Sequence, residues 1–176
     1  MSDLKYPVGK FEPQPEITQT QRQELIPSIA EAPARLRQAI RGLSPGQLDT
    51  PYRPEGWTVR QTVNHIADSH LNGYLRFKFA LTEAEPAIKT YEEKLWAEMN
   101  DVQKLPINVS LTLLHALHSR WHEALKYVKD DEWNNRTVFH PEHKKTMRLW
   151  FLLGMYAWHG KHHVAHITSL RERMGW

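Results

Sequence analysis

The segment from Leu149 to Met174 constrains the fold most, because its apolar residues recur at helical spacing over about seven turns. The apolar side of this predicted helix consists of Leu149, Leu152, Leu153, Tyr156, Val164, Ile167, Leu170 and Met174. A helix with one apolar stripe has to bury that stripe against other elements. The segment therefore predicts a long helix that forms one side of a packed core.

The same segment carries four of the eleven histidines of the chain within eight residues: His159, His162, His163 and His166. At about 100° per residue, His163 falls inside the apolar stripe and His159 at its edge, whereas His162 points well away. His166 lies between these directions. Gly160 is also on the apolar side, where a missing side chain leaves space at a crowded centre.

His159 and His163 therefore form the inward-facing pair, and two imidazoles four residues apart on a helix can share one ion. Neutral imidazole is a common ligand for zinc, nickel and related ions. The alternative is a helix with solvated histidines and one hydrogen-bonded core histidine. A third ligand from another helix would decide between these interpretations.

The 176 residues predict a single domain, residues 1–176, with an extended N-terminal arm over residues 1–17. There is no cysteine, which excludes disulfides, thiolate ligands and a cysteine nucleophile. The net charge of +3 is scattered along the chain, so no nucleic-acid partner is expected. Because the N-terminal residues do not resemble a signal peptide and the longest apolar run is short, we expect a cytoplasmic protein with no membrane partner.

Three further segments have helical periodicity, so the chain predicts an all-α four-helix bundle. The four predicted helices span residues 18 or 20 to about 43, 59–82, 109–129, and 146 to nearly 175. Their predicted N-caps are Thr18 or Thr20, Thr58 and Thr146. A crossover of about 25 residues between the second and third helices allows these two helices to run parallel. Residues 130–145 predict a small hairpin.

Histidines occur on the second and third helices as well. His65 and His70 lie about 140° apart, so we do not expect both to bind one ion. Periodicity favours His70, which falls in the apolar stripe and is also compatible with a hydrogen-bonded core histidine. His118 and His122 have the spacing of a ligand pair, but such pairs are more typical of an exposed helix edge. Leu117 or His118 is expected to face inward.

Two separated motifs, GWTVRQTVNHIADSH at residues 56–70 and WHGKHHVAHI at residues 158–167, resemble the DinB/YfiT-like superfamily. Within it, the chain is similar to the YfiT-type metal-dependent hydrolases of bacilli, over nearly its whole length. The resemblance implies an up-down-down-up four-helix bundle with an ion held by three histidines. It places these ligands at His65, His159 and His163, and so overrules the preference for His70. Asn64 stands where a close relative has another histidine.

Three neutral histidines leave a divalent ion with an open position, which is typical of catalytic sites. The resemblance implies a metal-dependent hydrolase that acts on a small molecule, with zinc as the expected ion and nickel as the second choice. The wider superfamily implies a second possibility, transfer of a low-molecular-weight thiol such as bacillithiol. A third possibility is a metal-binding stress protein without turnover. The family also implies a homodimer.

Other polar and aromatic residues are weaker candidates. Asp68 lies one turn after His65 and is the only candidate catalytic side chain, since it could orient a ligand or a bound water. A solvent-exposed Asp68 is equally compatible with the sequence. The residues Tyr52, Arg53, Trp57 and Trp96 are candidates for the mouth of a pocket. Unperturbed histidines have a pKa of about 6.5, so metal affinity is expected to fall as pH drops through that value.

Overall fold

Four long helices dominate the computed structural model, which describes residues 3–176. The elements in chain order are α1 (Gln19–Ile40), α2 (Pro45–Leu48), α3 (Val59–Thr82), α4 (Glu93–Trp96), α5 (Asn100–Lys104), α6 (Asn108–Lys126), α7 (Glu132–Asn135), β1 (Thr137–His140), β2 (Lys145–Arg148) and α8 (Leu149–Met174). The long helices are α1, α3, α6 and α8. Within residues 3–176, no helix is long and apolar enough to cross a membrane.

Hydrogen bonds between helices establish the direction in which each helix runs. Near the end of α8, Arg171 donates to the carbonyl of Ala39 at the end of α1, so these two helices are parallel. Ser110, at the start of α6, donates to Asn64 near the start of α3, so this second pair is also parallel.

The two parallel pairs run in opposite directions. Late in α3, Arg76 donates to the hydroxyl of Tyr156 early in α8, so α3 and α8 are antiparallel. Both α1 and α3 pack against α6 and α8, which gives a four-helix bundle. The predicted up-down-down-up topology is confirmed.

Capping residues fix the starts of the first two long helices. Thr18 and Gln21 form a capping box at α1, and Thr58 and Gln61 form one at α3, as expected for these residue types. The predicted bounds of α3 are confirmed. The helices α1 and α6 each end three residues earlier than predicted, at Ile40 and Lys126.

The predicted start of the last helix is wrong. Thr146 lies in β2 and pairs with Phe139 of β1, so it cannot cap a helix. The hairpin register extends to Arg148, which precedes the first residue of α8 and makes no side-chain capping bond. A hairpin is present, but its second strand lies at Lys145–Arg148, beyond the predicted range of residues 130–145. The strand β2 therefore uses residues that the predicted helix would have needed.

Two apolar clusters fill the bundle, one on each side of a layer of histidines. Along α6, Leu114 belongs to one cluster and Trp121 to the other, with His118 between them. Along α3, Ile66 and Phe77 occupy the corresponding positions. The histidine layer therefore lies in mid-bundle, where polar groups have to be paired.

The N-terminal arm crosses the outer side of α8. Trp158 donates its indole N–H to the carbonyl of Gly9, and Phe11 packs against Trp158 with ring centroids 5.9 Å apart. Tyr6 lies against His162. The arm thus covers a helix face that would otherwise be open to solvent.

Candidate metal centre

Three histidine rings from two helices converge at the edge of the histidine layer. His159 Nε2 lies 3.2 Å from His65 Nε2 and 3.1 Å from His163 Nε2. The structure therefore brings together the three side chains that the resemblance implied as ligands. They form a group whose ring nitrogens lie close enough to hold one metal ion.

Close packing of α8 holds these rings at their positions. A side chain at Gly160 would place its Cβ 3.4 Å from Ala32 on α1 and 3.5 Å from His70 on α3. Because the Gly160 position is buried and crowded, it keeps α8 close to both helices. The expectation that Gly160 leaves space at a crowded centre is confirmed.

The spacing of the ring nitrogens fits a divalent ion. Nitrogens bound tetrahedrally at about 2.0–2.1 Å from an ion lie about 3.3 Å from one another, close to the distances observed here. Burial, and to a smaller extent His162, lowers the pKa of His65 to about 4. Burial first, and neighbouring histidines second, hold the pKa values of His159 and His163 well below the ordinary value. All three rings are therefore neutral at neutral pH, the form that binds metal.

A cavity of about 560 Å³ opens onto all three rings. Its walls include Tyr52, Arg53 and Trp57, three of the four residues expected at a pocket mouth; Trp96 is not among them. The Trp57 ring lies 4.5 Å from the His65 ring, centroid to centroid. Such a cavity can admit a small molecule to the exposed side of the ring nitrogens.

A second cavity of about 510 Å³ also reaches His159, and residues of the short helix α4 line it. Glu93 of α4 contributes to the walls of both cavities. Burial raises the pKa of the Glu93 carboxyl. A carboxylate beside a candidate metal site is a candidate general base, and a raised pKa makes it a stronger proton acceptor. Sequence reasoning missed Glu93, because nothing in its local pattern places α4 over the histidines.

Asp68, the candidate catalytic side chain, is half-buried on α3. Within residues 3–176 its carboxylate makes no hydrogen bond to His65, His159 or His163. Burial, and then the nearby Asp101, raises the pKa of Asp68 to about 6. The proposed orienting role of Asp68 stays a prediction.

His70 lies behind the candidate ligands. It is fully buried, and its Nε2 is 3.1 Å from His159 Nδ1, on the ring side opposite the convergence point. Its Nδ1 is 2.8 Å from His118 Nε2. The interpretation of His70 as a hydrogen-bonded core histidine is confirmed.

The predicted exposed edge at His118 is wrong, whereas the alternative that His118 faces inward is confirmed; His162, expected to point away from the apolar stripe, is also buried. His118 is 1% exposed, because α6 turns this residue into the core toward α1 and His70. His162 is 7% exposed, because the N-terminal arm covers it and Trp158 stacks on it. A helical wheel for α8 alone could not include the N-terminal arm, which covers His162 and lies more than a hundred residues away in sequence.

Comparisons with known proteins agree with this architecture. A sequence model described as the DinB superfamily matches residues 28–167. "Putative metal-dependent hydrolase YfiT" of Bacillus subtilis is 47% identical over 174 residues, which cover 99% of this chain and 97% of that protein. "Putative metal-dependent hydrolase BCB4264_A2719" of Bacillus cereus is 51% identical over 176 residues, the full length of both. A solved structure of YfiT from Bacillus subtilis, called "a probable metal-dependent hydrolase with an unusual four-helix bundle topology", superposes with a TM-score of 0.95 and 98% coverage of both chains.

Proposed function

The chain belongs to the DinB superfamily, and on that basis we propose that it is a metal-dependent hydrolase acting on a small molecule. In this proposal His65, His159 and His163 hold one divalent ion. The observation that carries it is the convergence of three neutral ring nitrogens, 3.1–3.2 Å apart at two of their contacts, beneath an open cavity. The relatives named above as metal-dependent hydrolases support the same activity.

Zinc is the proposed ion and nickel the second choice. Three imidazoles suit either ion, and the nitrogen spacing suits a tetrahedral site. When bound, such an ion supplies Lewis-acid chemistry, which polarises a carbonyl or phosphoryl oxygen and lowers the pKa of water toward neutrality.

The surrounding side chains contribute the other parts of the proposed reaction. Trp57 and Tyr52 line the cavity with aromatic rings that can pack against the apolar part of a substrate. Arg53 and Lys94 line the same cavity and can orient a polar or anionic part of the substrate. Glu93 is positioned to take the proton released by the attacking water.

The test is turnover by protein purified without a nickel column, loaded with one equivalent of zinc and offered a panel of chromogenic esters. We expect hydrolysis that disappears on treatment with a chelator and returns with zinc. Full activity in metal-free protein would overturn the proposal.

A parallel assay with added bacillithiol addresses the second activity, which the superfamily resemblance implies. Since the chain has no cysteine, thiol transfer would require this added thiol. Product detected by mass spectrometry only when thiol is present would replace hydrolase with thiol transferase. Zinc binding without turnover under both conditions would favour the non-catalytic alternative.

A further inference from the structure

A backbone carbonyl with no helical donor anchors the buried histidines on one side of the site. In a regular helix the carbonyl of Ile29 would accept from the N–H of residue 33. Pro33 has no N–H, so this bond cannot form. The carbonyl of Ile29 instead lies 2.5 Å from Nδ1 of His118. Because a carbonyl only accepts, the ring proton of His118 is on Nδ1.

The position of the proton on His118 determines the tautomers of His70 and His159. A neutral His118 protonated on Nδ1 has only a lone pair on Nε2, so it accepts from Nδ1 of His70, 2.8 Å away. His70 then accepts on Nε2 from Nδ1 of His159, 3.1 Å away. His159 is therefore protonated on Nδ1, and its Nε2 lone pair faces His65 and His163.

A second series of hydrogen bonds determines proton positions in the same way and starts from the N-terminal arm. The carbonyl of Lys5 lies 3.2 Å from Nε2 of His166, so His166 carries its proton on Nε2. Its Nδ1 is 3.3 Å from Nδ1 of His163 and accepts from it. His163 is consequently protonated on Nδ1 and also turns an Nε2 lone pair toward the candidate site.

We propose that these two hydrogen-bonded chains, each ending on a backbone carbonyl, fix the tautomers of His159 and His163 so that both present Nε2 lone pairs to a metal ion. His70, His118 and His166 are then positioning residues for that ion. The role rests on the metal site proposed above. Ligand histidines commonly donate their second N–H to such a partner, which fixes the ring and increases its basicity.

The buried state of the rings agrees with this arrangement. Burial, followed by neighbouring histidines, holds the pKa of His70 well below its usual range, and burial lowers the pKa of His118 to about 4. Neutral rings have one proton each, so every step in the chain has a unique direction. Two lone pairs facing one another at 3.1 Å repel, which prepares the convergence point for a cation.

The same contacts argue against a second metal site at the neighbouring cluster of His162, His163 and His166. Both nitrogens of His166 are already occupied, by Lys5 and by His163. His163 directs its free nitrogen toward His159. The cluster is better explained as support for the first site.

The direct test is a long-range ¹⁵N–¹H NMR spectrum of the metal-free, ¹⁵N-histidine-labelled full-length protein at neutral pH. We expect His70, His118, His159 and His163 to be protonated on Nδ1 and His166 on Nε2. Protonation of His70 or His118 on Nε2, or rapid mixing of tautomers, would overturn the proposal. This readout requires neither metal nor substrate.

Variants at His118 test its effect on the ion. His118→Phe removes the acceptor for His70, and we expect the zinc dissociation constant to rise about tenfold, at the low end of what partners of metal ligands contribute. His118→Gln can donate to Ile29 through its amide N–H and accept from His70 through its carbonyl, so we expect it to retain most of the affinity. His115→Phe makes the same chemical change at an exposed position of α6 and is the matched control.

The two measurements distinguish failure of the two hydrogen-bonded chains of histidines from failure of the metal site. The predicted tautomers in a protein that binds no zinc would overturn the proposed function and leave the hydrogen-bonded chains intact. Zinc binding that is equally tight in His118→Phe and His118→Gln would overturn the positioning role and leave the metal site standing. If His118→Phe fails to fold, the tautomers measured in the unmodified protein still test the proposal.

Discussion

Acidification should destabilise the metal-free protein, because its buried histidines are held neutral. For a histidine whose pKa is lowered on folding, stability is intact above the unfolded value of about 6.5. It is lost as pH falls toward the folded pKa, because the unfolded chain takes up the proton first. The structure gives a folded pKa of about 4 for both His65 and His118.

The size of the effect follows from these values. Between neutral pH and about pH 4.5, one such histidine costs about 2.5 kcal/mol of unfolding free energy, so His65 and His118 together cost about 5 kcal/mol. The buried rings of His70, His159 and His163 act in the same direction. Domains of this kind have about 5–15 kcal/mol in total, so the loss should bring the metal-free protein close to unfolding.

Two carboxyl groups, Asp68 and Glu93, oppose this loss, because burial raises the pKa of each. The pKa of Asp68 is raised to about 6, so the folded state binds its proton first and gains stability as pH falls below that value. Asp68→Asn removes this compensation and should make the acid-induced loss steeper.

Urea unfolding at a series of pH values, in the presence of a chelator, measures both effects. A free energy of unfolding for metal-free Asp68→Asn that changes by less than about 1 kcal/mol between neutral pH and about pH 4.5 would refute the reasoning. Such a result would mean that the histidines are hydrated or already charged.

Three further perturbations test separate parts of the site. Glu93→Gln should lower kcat of the zinc-loaded protein by about 100-fold without loss of zinc, whereas Glu92→Gln should have little effect; equal effects would exclude a role for Glu93 as a base. Gly73→Ala would place its Cβ 2.5 Å from a buried aromatic ring and should cost about 1–3 kcal/mol in urea unfolding, whereas Gly46→Ala has open space around it; equal stability would show that the rings can move. Zinc affinity should hold down to about pH 5 and fall toward the His65 pKa of about 4; competition titrations that place the fall at about pH 6.5 would contradict the burial argument.

A fall in zinc affinity toward pH 4 would also revise the expectation from the sequence. An unperturbed histidine predicts loss of metal near pH 6.5, since sequence contains no measure of desolvation. The structure supplies this measure of desolvation, since His65 is only 5% exposed. Burial therefore moves the predicted fall in affinity to lower pH.

Sequence periodicity was sufficient for the bundle and for one side of the site. The apolar stripe of α8 directed His159 and His163 inward, and Thr58 marked the start of α3. On α3 periodicity favoured His70 as the inward-facing residue, and the structure shows that it is buried. Periodicity could not show that His70 contacts His159 on the ring side opposite the candidate metal site, because that contact depends on the relative positions of α3 and α8.

The features that sequence did not predict all depend on contacts between distant segments. The arm that covers His162, and the position of Glu93 beside both cavities, require knowledge of how loops lie on the bundle. Periodicity left Leu117 and His118 as alternatives for the inward side of α6, and the packing of α6 buries both. The missing N–H of Pro33 leaves the carbonyl of Ile29 free for His118 on another helix.

Anomalous diffraction at the zinc edge, from crystals of zinc-loaded protein, tests the central claim most directly. We predict one peak per chain, in contact with Nε2 of His65, His159 and His163, and loss of stoichiometric zinc when any one of them is replaced by alanine. His162→Ala should retain the ion. A peak held by His70, or by His162 and His166, would contradict the ligand assignment, and the absence of any ordered zinc would contradict the metal site itself.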